Sequence, residues 1–320
     1  MTDASAEARM ELRLEKIEWL ARDCRAFEFR ALDGAILPSA RAGAHIGVHL
    51  PNGILRQYSL LEAGDALRSY RIGVKRDPAS RGGSAFMFDR LQVGHALPVD
   101  LPRNNFPLDG QAGHSVLFAG GIGITPIWCM MRELEASGRV WTMHYAARSR
   151  GEAPFASVLE SDSRVHLHFD DEQGGVLPIA SAIERAPVGA HFYCCGPAPM
   201  LESFEQEARA AGIAAERVHV EYFTQRFEAD RAGGYAVSLA RSGIELQIGP
   251  GQSILGAVLA AGVDVPFSCE DGICGACETR VLSGEVDHRD SILSDQERAA
   301  NATMFICCSG ARGDRLVLDL

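Results

Sequence analysis

Ser268–Arg280 reads SCEDGICGACETR, and Cys307 follows Cys277 after 29 intervening residues. Cys269, Cys274 and Cys277 keep C-x4-C-x2-C spacing with one distant partner, the arrangement in which a loop wraps a plant-type [2Fe-2S] cluster and a remote strand supplies the last thiolate. Gly272 and Gly275 let backbone N–H groups turn inward toward the sulfurs. Four thiolates also suit a structural zinc ion, but zinc sites usually pair two C-x2-C units and this stretch has one. Cys308 competes with Cys307 for the fourth position. Neighbours in a strand point to opposite faces, and spacing favours Cys307.

Five of the nine cysteines fall in the last 52 residues of the 320-residue chain, which speaks for metal ligation or redox work over a disulfide framework. The first residues, MTDASAEARMELRLEKIEWL, are acidic where a signal peptide needs a positive region, and nowhere do about 18 apolar residues run together. A cytoplasmic protein with no membrane segment is expected. The net charge of -11 repels phosphate backbones and argues against nucleic-acid binding. Residues 236–320 hold 12 Asp and Glu against 6 Lys and Arg, so this end of the chain is suited to docking on a basic protein partner.

Upstream of the cysteines the chain changes character twice. The opening third alternates short strands (LRLEKIEWLA, AFEFRAL, HIGVHLP, RQYSLLE, SYRIGVK) with DG, NG and AGD turns, which predicts a small antiparallel barrel or sandwich. From Gln111 apolar strands alternate with helical stretches, which predicts a doubly wound parallel sheet. After Gln225 the charged, glycine-containing RFEADRAGGY suits a linker, and a hairpin and the helical SILGAVLAAG follow. The expected domains are residues 1–109, 110–225 and 236–320, with a linker at 226–235.

Two motifs in the first module suggest an anion site. Alternation in RQYSL puts Arg56 and Tyr58 on one face, next to Ser59. RGGSAFMFDRL reads as a glycine turn, Ser84 as N-cap and then a helix, so a phosphate could be held from both sides. Each motif alone is more often ordinary sheet surface or a plain turn. In the second module AGGIGITP places Gly120, Gly121, Gly123, Thr125 and Pro126 between a strand and a helix, where backbone approaches a pyrophosphate. Pro126 stands at the third glycine of the usual fingerprint. CCGPAPM ends another strand at the same sheet edge. Cys24, Cys129 and Cys194 read as buried small residues.

These motifs, with AGAHIGVHLP, PRNNFPL and the stretch from SCEDGICGACETR to CCSGARGDRLVLDL, resemble the phthalate dioxygenase reductase and vanillate O-demethylase reductase family along the whole chain. The resemblance implies a multidomain fold: an antiparallel β-barrel flavin domain, an α/β doubly wound NAD(P)H-binding domain and an α+β (β-grasp) ferredoxin domain. It implies FMN at Arg56, Tyr58, Ser59, Lys75, Gly82, Gly83 and Ser84, and a nicotinamide pocket lined by Cys195, Gly196 and Pro197. Phe223, at the end of the last strand of the second module, is placed to lie near the flavin ring, although an aromatic there is more often core. Ser59, Cys195 and Thr125 are the expected catalytic positioning groups, because hydride transfer needs no acid, base or nucleophile.

The implied activity is reduction of a Rieske-type terminal oxygenase, an aromatic O-demethylase or ring-hydroxylating dioxygenase, with electrons passing from nucleotide to flavin to cluster. The alternative is the same chain serving another acceptor, such as a carnitine-type monooxygenase or a cytochrome. A monomer is expected for a shuttle that docks and leaves. Arg148 and Arg150 after the second strand would suit the 2′-phosphate of NADPH. The resemblance favours NADH. Glu270 and Gly310 depart from the family pattern, and neither is a thiolate ligand.

Overall fold

The computed structural model describes residues 9–78, 82–230 and 232–320. The first eight residues, Arg81 of the RGGS motif and Arg231 of the expected linker lie outside the described residues. The chain divides into two compact units at Glu221–Tyr222, so the first two expected modules form one unit and the ferredoxin module the other.

The larger unit begins with strands β1 (Arg9–Ala21), β2 (Cys24–Ala31), β3 (Ala44–His49), β4 (Leu55–Ser59) and β5 (Tyr70–Lys75), then helix α1 (Gly83–Asp89) and strands β6 (Ala96–Asp100) and β7 (Arg103–Asn104). Their order is β4-β3-β6-β1-β2-β5, with β7 beside β3, and all pairings are antiparallel. A bridge between Leu60 and Ile72 brings β4 back to β5 and closes the barrel. Closure leaves no free sheet edge along this seam. Alternation puts Leu12, Leu14, Phe27, Phe29, Ile46, Val48, Ile72 and Val99 inside, each at most 1% exposed. Burying each such side chain stabilises the barrel by about 1.5–3 kcal/mol.

Next come β8 (Ser115–Gly120), α2 (Ile124–Ala136), β9 (Trp141–Ala147), α3 (Ala156–Leu159), β10 (Val165–Phe169), α4 (Asp170–Gln173), α5 (Ile179–Glu184), β11 (His191–Cys195), α6 (Ala198–Ala210) and β12 (Val218–Glu221). The sheet order is β10-β9-β8-β11-β12 and every pairing is parallel. β8 is buried along its whole length, as the central strand of a sheet covered on both faces must be. The strand order reverses between β8 and β11, so the turns after these two strands flank the crevice where doubly wound sheets bind ligands.

The second unit contains β13 (Tyr235–Leu239), β14 (Ile244–Ile248), α7 (Ile254–Ala260), β15 (Glu278–Ser283), β16 (Val286–Asp287), α8 (Asp295–Ala300), β17 (Thr303–Phe305), β18 (Gly310–Ala311) and β19 (Arg315–Leu318). The main sheet runs β14-β13-β19-β15-β17, and α7 supplies Ile254, Leu255 and Val258 to its core. Ser253 caps α7, and a reciprocal Ser294–Glu297 capping box starts α8, so both short helices have partners for their first N–H groups.

The structure changes three local readings. Ser84 is not the N-cap of α1: Gly82 holds that position in the left-handed region (φ 100°), and Ser84 Oγ instead accepts from the Asp77 N–H at 3.1 Å. Cys307 and Cys308 lie in a turn after β17, so strand alternation does not separate them. The described part of the expected linker is folded onto the ferredoxin unit. The Asp230 N–H donates to Cys308 O at 2.8 Å, the Arg226 N–H donates to Ser291 Oγ at 3.0 Å, and the Phe227 ring has the guanidinium groups of Arg226 and Arg298 within 5.2 and 5.1 Å.

Candidate functional site

Arg56 on β4 reaches the start of α1. A Cβ placed on Gly83 would lie 2.8 Å from Arg56 Nε, so the arginine side chain rests against the helix's first turn and would have to shift to admit a side chain there. Gly82 completes the bend, and Ser84 lies inside the first turn. This brings Arg56, Gly82, Gly83 and Ser84 together, a cation beside the first turn of a helix, a setting that suits a phosphate. Tyr58 lies two residues along the same strand face, and burial pushes its phenol far above the usual range. Lys75 ends β5 opposite Cys24, two residues before Asp77, whose N–H donates to Ser84 Oγ.

Ser59 points to the parallel sheet. Its Oγ lies 3.5 Å from Glu221 Oε2 at the end of β12, and Cys195 Sγ at the end of β11 lies 3.9 Å from the same oxygen. Burial raises the Glu221 carboxyl to about 8, against hydrogen bonds from Ser59 and Cys195 that lower it. Glu221 is therefore neutral over most of the physiological range. Burial likewise holds Cys195 as a thiol. A serine, a thiol and a protonated carboxyl thus form an uncharged polar cluster where the barrel meets the carboxyl ends of two strands. Such a cluster can orient a ring edge and donate hydrogen bonds without attacking it.

Glu221 was missed in the sequence. An acidic residue in VHVEYF reads as the solvent face of an alternating strand, and only the tertiary fold brings it to Ser59 and Cys195.

The AGGIGITP and CCGPAPM turns interlock. A Cβ on Gly123 would sit 2.2 Å from Cys195 O, and one on Gly120 would meet Pro197 Cδ and Met200 Sδ at 2.6 Å. Gly196 closes on Gly120 in the same way. Gly121 (φ 53°) faces open space, and its carbonyl accepts from Tyr145 OH at 3.3 Å. Thr125 and Pro126 are buried in the first turn of α2. The Thr125 hydroxyl donates to Ile122 O at 3.0 Å and its methyl presses on Gly73 of β5, so it shapes the turn from within.

At the end of β9, Arg148 is exposed, while Arg150 is engaged by Glu160 at 2.9 Å and Glu172 at 3.3 Å and lies 4.7 Å over the Phe169 ring. Phe223 follows the last residue of β12 by two positions, belongs to the second unit and is 36% exposed.

In the ferredoxin unit the expected ligands come in two pairs. The Cys269 and Cys274 thiols are in hydrogen-bond contact, as are those of Cys277 and Cys307. Two pairs fit two irons with two thiolates each. The Asp271 N–H donates to Cys269 Sγ at 3.3 Å, and the Cys269 N–H donates to Cys274 Sγ at 3.5 Å. Donation from the Cys277 and Cys308 thiols and from the Gly272 backbone holds Cys307 below the usual thiol range. Cys308 packs beside Cys307, its Sγ in hydrogen-bond contact with the Cys307 thiol and also near Phe305 O and Ser309 Oγ. Gly272 (φ 68°) admits no side chain, because a Cβ would fall 2.6 Å from Cys308 Sγ. Glu270 also adopts positive φ (58°), a position that gives no account of why glutamate stands there.

Residues 237–312 match the 2Fe-2S iron-sulfur cluster binding domain family, a range that includes all four paired cysteines. The whole chain is 50% identical over 321 residues to phenoxybenzoate dioxygenase subunit beta of Ectopseudomonas oleovorans, covering 100% of both. It is 43% identical to the vanillate O-demethylase oxidoreductase of Pseudomonas sp. (strain HR199 / DSM 7063), with 97% of this chain and 100% of the relative aligned. The solved structure of phthalate dioxygenase reductase, a modular structure for electron transfer from pyridine nucleotides to [2Fe-2S], superposes over 98% of both chains with a TM-score of 0.71 at 38% identity. With a barrel, a doubly wound sheet and a [2Fe-2S] domain in the same order, the chain belongs to the phthalate dioxygenase reductase family of oxygenase reductases, NAD(P)H-dependent flavin iron-sulfur oxidoreductases.

Proposed function

We propose that this chain takes hydride from NADH onto FMN and delivers single electrons through Cys269, Cys274, Cys277 and Cys307 to the Rieske-type terminal component of an aromatic-acid oxygenase. The observation that carries the reading is the Ser59–Glu221–Cys195 cluster, which joins the flavin motif of the barrel to the nucleotide edge of the parallel sheet. FMN supplies two-electron acceptance and one-electron release when bound. Arg56, Gly82, Gly83 and Ser84 hold its phosphate, and Tyr58 and Ser59 lie along its ring. FMN is the flavin this reading takes, with Arg56 beside α1 as a cation placed at its phosphate.

Gly120, Gly121, Gly123, Thr125 and Pro126 form the turn that approaches the pyrophosphate, and Cys195, Gly196 and Pro197 face the nicotinamide. The role of the protein's own groups is positional: the neutral cluster keeps water and charge away from the transfer while fixing the ring edge. NADH is favoured by Arg150, whose guanidinium already faces two carboxylates next to the Asp170–Asp171–Glu172 run.

The acidic ferredoxin unit docks on a basic patch of the oxygenase, and the working form is a cytoplasmic monomer. Among the described residues no helix is long and apolar enough to cross a membrane. The substrate class follows from the relatives' names, which refer to phenoxybenzoate and vanillate. The test is reconstitution with the partner oxygenase over a salt series: transfer falls as ionic strength rises if charge steers docking. Transfer that is unchanged from low to high salt contradicts it.

A further inference from the structure

His288 follows β16 in the ferredoxin unit, and the electron path described above does not use it. Its side chain is 6% exposed, yet neither Nδ1 nor Nε2 has a hydrogen-bond partner. Leaving a buried polar group unpaired costs about 1–3 kcal/mol. Next to it is Asp290, fully buried, whose Oδ2 accepts from the N–H groups of Ile292 and Leu293 at 3.0 and 2.8 Å. Asp290 Oδ1 has no partner and lies 3.8 Å from His288 Nδ1, too far for a hydrogen bond and close enough for an ion pair once the ring is charged.

Asp290 also backs the cluster loop. Its Cα is 3.1 Å from where a Gly272 Cβ would be, the Ser291 N–H donates to Gly272 O at 2.9 Å, and the Gly272 backbone donates toward Cys307. The other charges around the ring are Glu285 and Asp287 from the β16 side, Arg298 from α8 and Arg312 after β18. Arg298 Nη2 lies 3.7 Å from Asp290 Oδ2, and Arg312 pairs with Glu285 at 3.1 Å. Burial holds the ring below its ordinary range, Asp290 opposes this, and the two arginines add to it. Burial therefore favours the neutral ring, with Asp290 placed to favour the charged one. A cavity of about 320 Å³ lined by His288, Arg298, Asn301 and Arg312 gives water a way to it.

We propose that His288 is the proton acceptor coupled to reduction of the iron-sulfur centre. As the centre takes one electron, the ring takes one proton from water in the cavity at its unprotonated nitrogen, and Asp290 stabilises the resulting cation. On reoxidation the proton returns to the cavity. The electron comes from the nucleotide by the established path, so no further reductant is needed. The added negative charge raises the ring's affinity for a proton, and by linkage the proton holds the electron.

The proposal rests on the cluster assignment, and its test separates the two. In the full holoprotein, the reduced centre is quantified by electron paramagnetic resonance in redox titrations from pH 5.5 to 9, which reads it apart from the flavin. In the wild type, the ratio of reduced to oxidised centre at fixed potential falls about tenfold per pH unit across one window. In His288→Gln the ratio becomes flat while the signal shape is kept. Should that variant lose the centre, Arg312→Gln decides, because removing a cation beside the ring moves the window to higher pH. A flat wild-type ratio, a slope kept in His288→Gln, or a window unmoved in Arg312→Gln overturns the proposal. Absence of the signal altogether refutes the cluster reading instead.

Discussion

Ser59 Oγ lies 3.5 Å from Glu221 Oε2, which joins the end of a barrel strand to the end of the last strand of the parallel sheet. With the carboxyl raised to about 8 by burial, Ser59 and Cys195 meet a group that is mostly protonated at pH 7. A Ser59→Ala change removes the hydroxyl nearest the expected ring edge. It is expected to slow reduction of the flavin by NADH about tenfold or more in stopped-flow absorbance, with little change in flavin content. An unchanged rate removes Ser59 from the site.

The same carboxyl gives a signed pH dependence. A folded-state value raised from 4.5 to about 8 means the full stability contribution is present below about 4.5 and is lost as pH rises through about 8. Glu221→Gln lacks this loss. Its stability relative to the wild type should be similar near pH 4.5 and should gain by about 1 kcal/mol per pH unit up to pH 8. Urea unfolding of the larger unit at several pH values checks it, and a constant difference contradicts it.

Arg56 and Gly83 should act as one device. Arg56→Ala removes a charged donor to the phosphate, worth about 1.5–3 kcal/mol or roughly tenfold to a hundredfold in affinity. Gly83→Ala should produce a comparable loss by displacing the guanidinium, since its Cβ would lie 2.8 Å from Nε. Fluorescence titration of the apoprotein with FMN measures both. Full affinity in Gly83→Ala would mean that Arg56 does not hold the phosphate from this position.

Much of this was readable before any coordinates. Strand alternation in AFEFRAL and SYRIGVK, and the strand–turn–helix order around AGGIGITP, follow from local periodicity, and the cysteine spacing is a local signal as well. What escaped depends on non-local packing. Glu221 looks like a solvent-facing residue until β11 and β4 are placed beside it. Ser84 satisfies the composition rule for an N-cap, but Gly82, free to adopt positive φ, takes the position two residues earlier. The RFEADRAGGY segment has linker composition, yet Phe227 finds Arg298, some 70 residues away in sequence, to pack against.

Cys307 is in contact with the Cys277 thiol, and Cys308 with Cys307. Cys307→Ser should abolish the longer-wavelength iron-sulfur absorbance or strongly weaken it. Cys308→Ser should keep two irons per chain, because Cys307 is the thiol that meets Cys277, whereas Cys308 meets Cys307, Phe305 O and Ser309 Oγ. Iron analysis and visible spectra decide, and the reverse outcome exchanges the two assignments.

Arg150 makes the nucleotide preference testable. Its ion pairs are about half exposed and individually weak, so the expected effect is modest. The double change Glu160→Gln with Glu172→Gln frees the guanidinium and removes two negative charges. The NADPH-to-NADH ratio of kcat/KM should rise severalfold. A wild type that already prefers NADPH would contradict the assignment of NADH.

Electrons should pass from a pyridine nucleotide through flavin to a [2Fe-2S] centre within this one chain. An anaerobic titration of the purified protein with NADH, followed in the visible spectrum and paired with metal analysis, tests it most directly. The expected result is bleaching of the flavin bands, then loss of the longer-wavelength iron-sulfur absorbance, with two irons per chain. A flavin that bleaches alone, with one zinc per chain and no iron-sulfur band, would contradict it.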